Sequence, residues 1–143
     1  MGFTDIFDEL EPAERVRLLN QAVNRSFEPG AVIIDELKPN DAIFVVMDGE
    51  VNVEKSLPNG EKKILAELGV GAIIGEMTFL TRGSPSASIV ARTEAEMLCV
   101  THESLNTLVS QEPGLAGRFY RSIAVTLAQR LAETNKKLTQ SQS

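Results

Sequence analysis

Tryptophan is absent from the 143 residues, and cysteine, histidine and tyrosine occur once each. A single cysteine, Cys99, excludes an intramolecular disulfide and an iron–sulfur cluster held by this chain. Within Met97-Leu98-Cys99-Val100 it reads as a small buried apolar side chain. A single histidine, His102, rules out the His cluster of a cupin-type metal site. After Val100-Thr101, where a helical region starts, His102 reads as a capping or surface residue. The acids are scattered and show no metal-ligand spacing, so neither a metal, a cofactor nor catalysis is indicated. No stretch approaches the roughly 18 apolar residues of a membrane span. The N-terminus lacks the basic-then-apolar pattern of a signal peptide, and Ile6 replaces the hydroxyl residue of a myristoylation start. The expected compartment is the cytoplasm. A basic surplus is also lacking: 14 Lys and Arg face 20 Asp and Glu, for a net charge of −6. That balance opposes non-specific attraction to nucleic acid or anionic lipid.

What is present suits one globular domain, with 43% hydrophobic and 24% charged residues. From Asp5-Ile6-Phe7-Asp8 through Glu11-Pro12-Ala13-Glu14, and on through Val16, Leu18, Leu19 and Val23, the spacing predicts a short amphipathic helix. Pro12 near its start and acids in its first turn fit that reading. After Pro29-Gly30 the period becomes that of strands: Val32–Ile34, Ile43–Met47, Val51 to Val53, Ile64–Ala66, Ser88–Ala91 and Met97–Val100. Pro58-Asn59-Gly60 between two of them predicts a hairpin with a primed turn. Short strands with regular turns predict an antiparallel β-roll or jelly-roll barrel, mainly β, with flanking helices.

Beyond Glu103 the chain turns helical again. A short helix carrying Leu105, Leu108 and Val109 stops near Pro113. A long one follows from about Gly114 to Leu138, rich in good helix formers, with a polar end at 139–143. Tyr120, Ala124, Leu127, Leu131, Thr134 and Leu138 alternate steps of four and three, the seam of a coiled coil, which predicts a homodimer. A second stripe, Leu115, Phe119 and Ile123, is available to pack on the roll. The whole reads as one domain over 1–143. It has a helical region at 1–26, a roll at 27–101 containing a distinctive loop at 71–88, and C-terminal helices at 102–138.

That loop runs Gly71-Ala72-Ile73-Ile74-Gly75-Glu76-Met77-Thr78-Phe79-Leu80, then Thr81-Arg82-Gly83-Ser84-Pro85-Ser86-Ala87-Ser88. A glycine, an acid, one helical turn and a Gly/Ser/Pro segment can aim backbone amides at an anion. Such connections are also common as plain turns. Taken with Phe27, Pro29-Gly30, Ile33-Ile34, Phe44-Val45-Val46, Gly49, Val51 and Val53, the pattern resembles the cyclic nucleotide-binding domain family. The likeness is to the catabolite activator protein and kinase A regulatory subunit type, and it runs over nearly the whole chain.

The resemblance implies a phosphate-binding cassette in which Gly75, Glu76, Met77, Ser86 and Ala87 contact the ligand. Glu76 matches the acid that receives the ribose 2′-hydroxyl, and Ser86-Ala87 match the pair that meets the cyclic phosphate. Thr134 and Asn135 resemble the polar pair of the long helix that touches the purine edge. The implied ligand is cyclic AMP or cyclic GMP. The cassette's arginine is missing: after the eight residues Met77 to Ser84 comes Pro85, and one further comes Ser86. Losing one partner of a desolvated charge pair costs about 2–5 kcal/mol, roughly thirtyfold to several thousandfold in affinity. Arg82, three residues earlier, is a candidate substitute phosphate contact or a solvated loop charge.

Two functions follow. One is a regulatory sensor that binds a cyclic nucleotide or related small anion weakly or atypically and signals through its last helix to a protein partner. The other is a ligand-free dimerisation or protein-interaction module. Nucleic-acid binding by this chain is not expected, because no helix-turn-helix follows the long helix and Lys136 and Lys137 are too few for a footprint.

Overall fold

The computed structural model describes residues 9–141; the predicted helix lead-in at Asp5–Asp8 lies outside them. Helix α1 spans Pro12–Gln21. Proline occupies its first turn, where its missing N–H costs nothing, and the Glu14 carboxylate accepts the Glu11 amide at 2.9 Å. Leu18 is fully buried, whereas Val16 is exposed.

The predicted helical region to residue 26 is cut short. Val23–Phe27 is strand β1, paired antiparallel with the strand at Ala95–Thr101 so that Val23 faces Cys99 and Phe27 faces Ala95. Val23-Asn24-Arg25-Ser26-Phe27 contains few good helix formers, and ladder hydrogen bonds to a neighbouring strand outweigh the residual helical spacing.

The remaining strands are β2 (Val32–Ile34), β3 (Ala42–Asp48), β4 (Val51–Ser56), β5 (Lys62–Leu68), β6 (Ile73–Ile74), β7 (Ser88–Ala91) and β8 (Ala95–Thr101). They form two four-stranded antiparallel sheets, ordered β1-β8-β3-β6 and β2-β7-β4-β5. This is the predicted mainly β jelly-roll with flanking helices, as two facing sheets rather than a closed barrel.

The inner strands of the first sheet, β3 and β8, are buried on both faces. Ile43, Val45, Leu98 and Val100 pack with Leu18, Leu105, Leu108, Leu115 and Phe119 of the helices. Phe44, Val46, Met97 and Cys99 pack with Val51, Ile89 and Ala91 of the second sheet. A strand covered on both sides has no polar alternation to keep, which is why β3 and β8 read as unbroken apolar runs. Burial raises the pKa of the Cys99 thiol, so the thiol stays protonated and unreactive.

The β4–β5 hairpin forms where Asn59-Gly60 was expected to turn, but not with a primed turn. The Gly60 amide donates to Leu57 O at 2.9 Å and the Leu57 amide to Glu61 O at 2.7 Å. Gly60 has φ +86°, while Asn59 has no positive φ. Pro58 holds φ near −65° at the first central position, which forbids a type I′ turn and selects a type I turn followed by a left-handed glycine.

Helix α2 (Glu76–Thr81) interrupts the roll between β6 and β7, and α3 (His102–Gln111) follows β8. Thr101 caps α3 by accepting the Ser104 amide at 3.1 Å. Helix α4 (Leu115–Ser141) buries Leu115, Phe119 and Ile123 completely or nearly so, as the second stripe predicts. Residues 128–139 of α4 are all exposed. At 1.5 Å per residue they carry the helix about 18 Å past the roll's core. No helix among the described residues is long and apolar enough to cross a membrane.

Candidate functional site

Helix α2 begins because Gly75 can take a backbone angle other residues avoid. Its φ is +86°, and an added Cβ would meet Ala42 O at 2.5 Å and Asn40 Nδ2 at 2.8 Å. Asn40, from the β2–β3 connection, donates through Nδ2 to Ala42 O at 2.8 Å and to Thr78 Oγ1 at 3.0 Å. The Thr78 hydroxyl in turn donates to Gly75 O at 3.2 Å. Phe79 is fully buried at the far side of this turn, so α2 is pinned at its start by polar contacts and at its middle by the core.

Glu76 is set by that turn into a buried position, with its side chain 12% exposed. A carboxylate withdrawn from water needs a cation or several donors, and α4 supplies one. Arg130 Nη1 donates to Glu76 Oε1 at 2.7 Å, and its Nη2 donates to Ile73 O at 3.2 Å. One guanidinium therefore joins the long helix to both the acid and the strand ahead of it. Thr134 lies one turn beyond Arg130, its hydroxyl donating to Arg130 O at 3.0 Å. Asn135 is the next residue, and both are exposed.

The other predicted cassette residues are also accessible. Met77 is 59% exposed, Ser86 is exposed and Ala87 half-buried. Arg130 thus joins α4 to the Gly75-Glu76 end of the cassette, while Thr134 and Asn135 lie one turn further along the exposed part of the helix. Ser86 and Ala87 sit at the other end of the cassette, against β4. Lys55 Nζ donates to Ser86 O at 2.7 Å there, and the same ammonium lies 3.6 Å from Glu36 Oε2. Glu36 Oε1 accepts the Ser56 amide; the Ser56 hydroxyl first, and then this amide and Lys55, hold the Glu36 pKa below its ordinary value against the opposing effect of burial.

Arg82 is turned elsewhere. It closes α2 in the left-handed region, φ 58°, and its Nη2 meets His102 Nδ1 at 3.3 Å. The His102 ring stacks on Phe79 with centroids 3.8 Å apart and planes 4° apart. Its Nε2 lies 2.8 Å from Phe79 O, which only an N–H at Nε2 can satisfy, so the Nδ1 facing Arg82 is the acceptor. The expected capping or surface role of His102 is therefore replaced by a clamp on α2; Thr101 is the cap.

Arg130, Asn40, Lys55, Glu36 and the His102 clamp were not picked out as site residues from sequence. For Arg130 a signal exists: a cassette acid whose family arginine is missing, and an arginine one turn before the polar pair on the long helix.

The fold and the cassette define a class, and comparison with known proteins identifies it. The family model for the cyclic nucleotide-binding domain matches residues 24–112, and the chain belongs to that family. It is 31% identical over 138 residues to the cyclic AMP receptor protein of Thermus thermophilus, covering 96% of this chain and 62% of that one. It is 25% identical over 133 residues to a CRP-like cAMP-activated global transcriptional regulator of Mycobacterium tuberculosis, covering 93% and 58%. The solved cyclic nucleotide-binding domain from Methylobacillus flagellatus superimposes with a TM-score of 0.81 at 25% identity, over 96% of this chain and 82% of that one. The chain spans about three-fifths of the length of the two curated relatives.

Proposed function

We propose that this domain is a regulatory sensor that binds a cyclic nucleotide or a related small anion in its cassette, with fewer charged contacts than usual, and relays occupancy through α4. The observation that carries this reading is the Arg130–Glu76 pair at 2.7 Å. In a cassette of this family the matching acid receives the ribose hydroxyl, so a ligand sugar competes for the carboxylate that holds α4. A ligand shifts a conformational equilibrium only through different affinities for the two arrangements. Competition at Glu76 supplies that difference, because binding must rearrange Arg130. Gly75, Glu76, Met77, Ser86 and Ala87 form the contact set in this reading, with Thr134 and Asn135 closing over the base. Arg82 is not needed as a phosphate contact while its guanidinium is engaged by His102.

Calorimetry with cyclic AMP and cyclic GMP up to millimolar concentration tests it. Binding is expected to wild type and to weaken at least tenfold in Glu76→Gln, with slowed or quickened amide exchange in residues 128–139 when ligand is present. No heat and no thermal shift at millimolar ligand would remove the sensor reading for these compounds.

A second reading, a homodimerisation module, is favoured by a different observation. On the exposed part of α4 and just before it, Leu131 is 62%, Leu138 55% and Tyr120 38% exposed, an apolar seam beyond the core. The two readings are compatible, since a paired helix is a natural output for a pocket that grips it. We place this chemistry in a single cytoplasmic domain over 1–143, acting on a protein partner rather than on nucleic acid or membrane.

A further inference from the structure

The cassette lacks its own cation, and the structure offers another from across the roll. Among the residues of the Ser84–Ala87 segment none is charged, and Arg82 is bound to His102. Lys55 comes from β4, 31 residues earlier in the chain than Ser86, yet its ammonium touches that segment.

Its direction is set by strand parity. Along β4, Val51 is fully buried and Val53 partly so, both packed with Phe44, Ile74 and Ile89 between the two sheets. The ladder to β7 runs without a shift from Val51↔Ala91 through Val53↔Ile89 to Glu54↔Ser88. Lys55 is the next residue of the inner set, because side chains on a strand alternate. It stands where that face opens, with its side chain 47% exposed.

We propose that Lys55 supplies the positive charge that pairs with the phosphate of the cassette's ligand, in place of the missing arginine. This rests on the cassette being an anion site. The ammonium is anchored to a neutral carbonyl, Ser86 O, at 2.7 Å. A lysine has three donors on a flexible four-carbon stem. It reaches a phosphate seated on the Ser86-Ala87 segment by a small swing, exchanging a neutral acceptor for a charged one. Glu36 restrains the swing. Its Oε2 lies 3.6 Å from Nζ, outside hydrogen-bond distance, while its Oε1 is committed to the Ser56 amide. Its amide donates to Ser88 Oγ at 3.0 Å. The acid therefore holds Lys55 beside the cassette in an ion pair with which a bound phosphate competes. A lysine is a point charge rather than a planar fork, so the contact lacks the two-pronged phosphate geometry of an arginine.

The experiment is calorimetry of the full chain with cyclic AMP and with adenosine, which carries base and sugar but no phosphate. Wild type, Lys55→Gln, Lys55→Arg and the double variant Lys55→Gln with Ser86→Arg are compared, after thermal unfolding has shown each to be folded. Lys55→Gln is expected to weaken cyclic AMP at least tenfold and leave adenosine unchanged. Lys55→Arg should stay within about threefold of wild type, and Ser86→Arg should recover most of the loss by returning the charge to the cassette. Cyclic AMP affinity unchanged in Lys55→Gln overturns the assignment while leaving the sensor reading intact. So does an equal fall for adenosine, or a loss that neither arginine variant recovers. A wild type that binds no cyclic nucleotide overturns the sensor reading, and this assignment with it.

Discussion

A carboxylate drawn out of water must be matched, and two glutamates here are matched by arginines of the same helix. Glu76 holds Arg130, while Glu14 of α1 accepts Arg118 Nε at 2.7 Å and Arg118 Nη2 at 2.5 Å. Glu14 is only 2% exposed and also accepts the Glu11 amide. The Arg118 hydrogen bond, first, and then the Glu11 amide hold the Glu14 pKa below its ordinary value against the opposing effect of burial. A carboxylate whose folded pKa lies below its unfolded value stabilises the fold fully above the unfolded value, about 4.3. That contribution is lost as pH falls through the lower, folded value. Thermal unfolding followed from pH 6 to pH 3 should therefore show stability falling below about pH 4.3. In Glu14→Gln that part of the acid dependence should shrink, and stability at pH 7 should drop by about 2 kcal/mol, because Arg118 loses a charged acceptor. An acid limb of unchanged steepness would show that other carboxylates govern it.

At the scale of the element, α4 does two jobs along one length. Its first turns carry Leu115, Phe119 and Ile123 into the core. From residue 128 to 139 it is exposed, held to the roll by the Arg130 fork. A helix of this length is stabilised mainly by packing of an apolar face, and in its outer half Leu131 and Leu138 are 62% and 55% exposed. The seam of Leu127, Leu131 and Leu138 predicts a second copy as its cover. Light scattering at tens of micromolar should give about twice the 15.6 kDa chain mass, and Leu131→Glu should give the single mass with an unchanged far-ultraviolet spectrum. A wild-type monomer at that concentration would discard the seam. Helix α2 is the opposite case: six residues, too short to persist alone, and held by Asn40, Phe79 and the His102 stack.

For the whole molecule, the first sheet is the shared wall of two cores, one under the helices and one between the sheets. Neither core can open without stripping a face from β3 and β8. Scanning calorimetry should accordingly show one two-state transition, and two separable transitions would mean that helices and roll unfold independently.

The same two-sided burial decided how much of the fold was legible. Strands β3 and β8 stood out as apolar runs, and the stripe at Leu115, Phe119 and Ile123 stood out by its spacing. Strand β1 did not, because an edge strand with Asn24, Arg25 and Ser26 has neither an apolar run nor clean alternation. Pro58 carried the information that the hairpin turn is not primed, since a fixed negative φ cannot enter that turn.

In the cassette, a glycine followed by an acid was legible as a local pattern, while the role of Glu76 and the missing arginine came from the family resemblance. That pattern and that resemblance are what the sequence by itself determined. Which cations reach the cassette was decided by the tertiary structure. Arg130 lies 54 residues from Glu76 and Lys55 lies 31 from Ser86, with nothing in the intervening spacing to link them. A charge finds its partner through space, and only the closing of two sheets and the return of α4 brought these within hydrogen-bond distance.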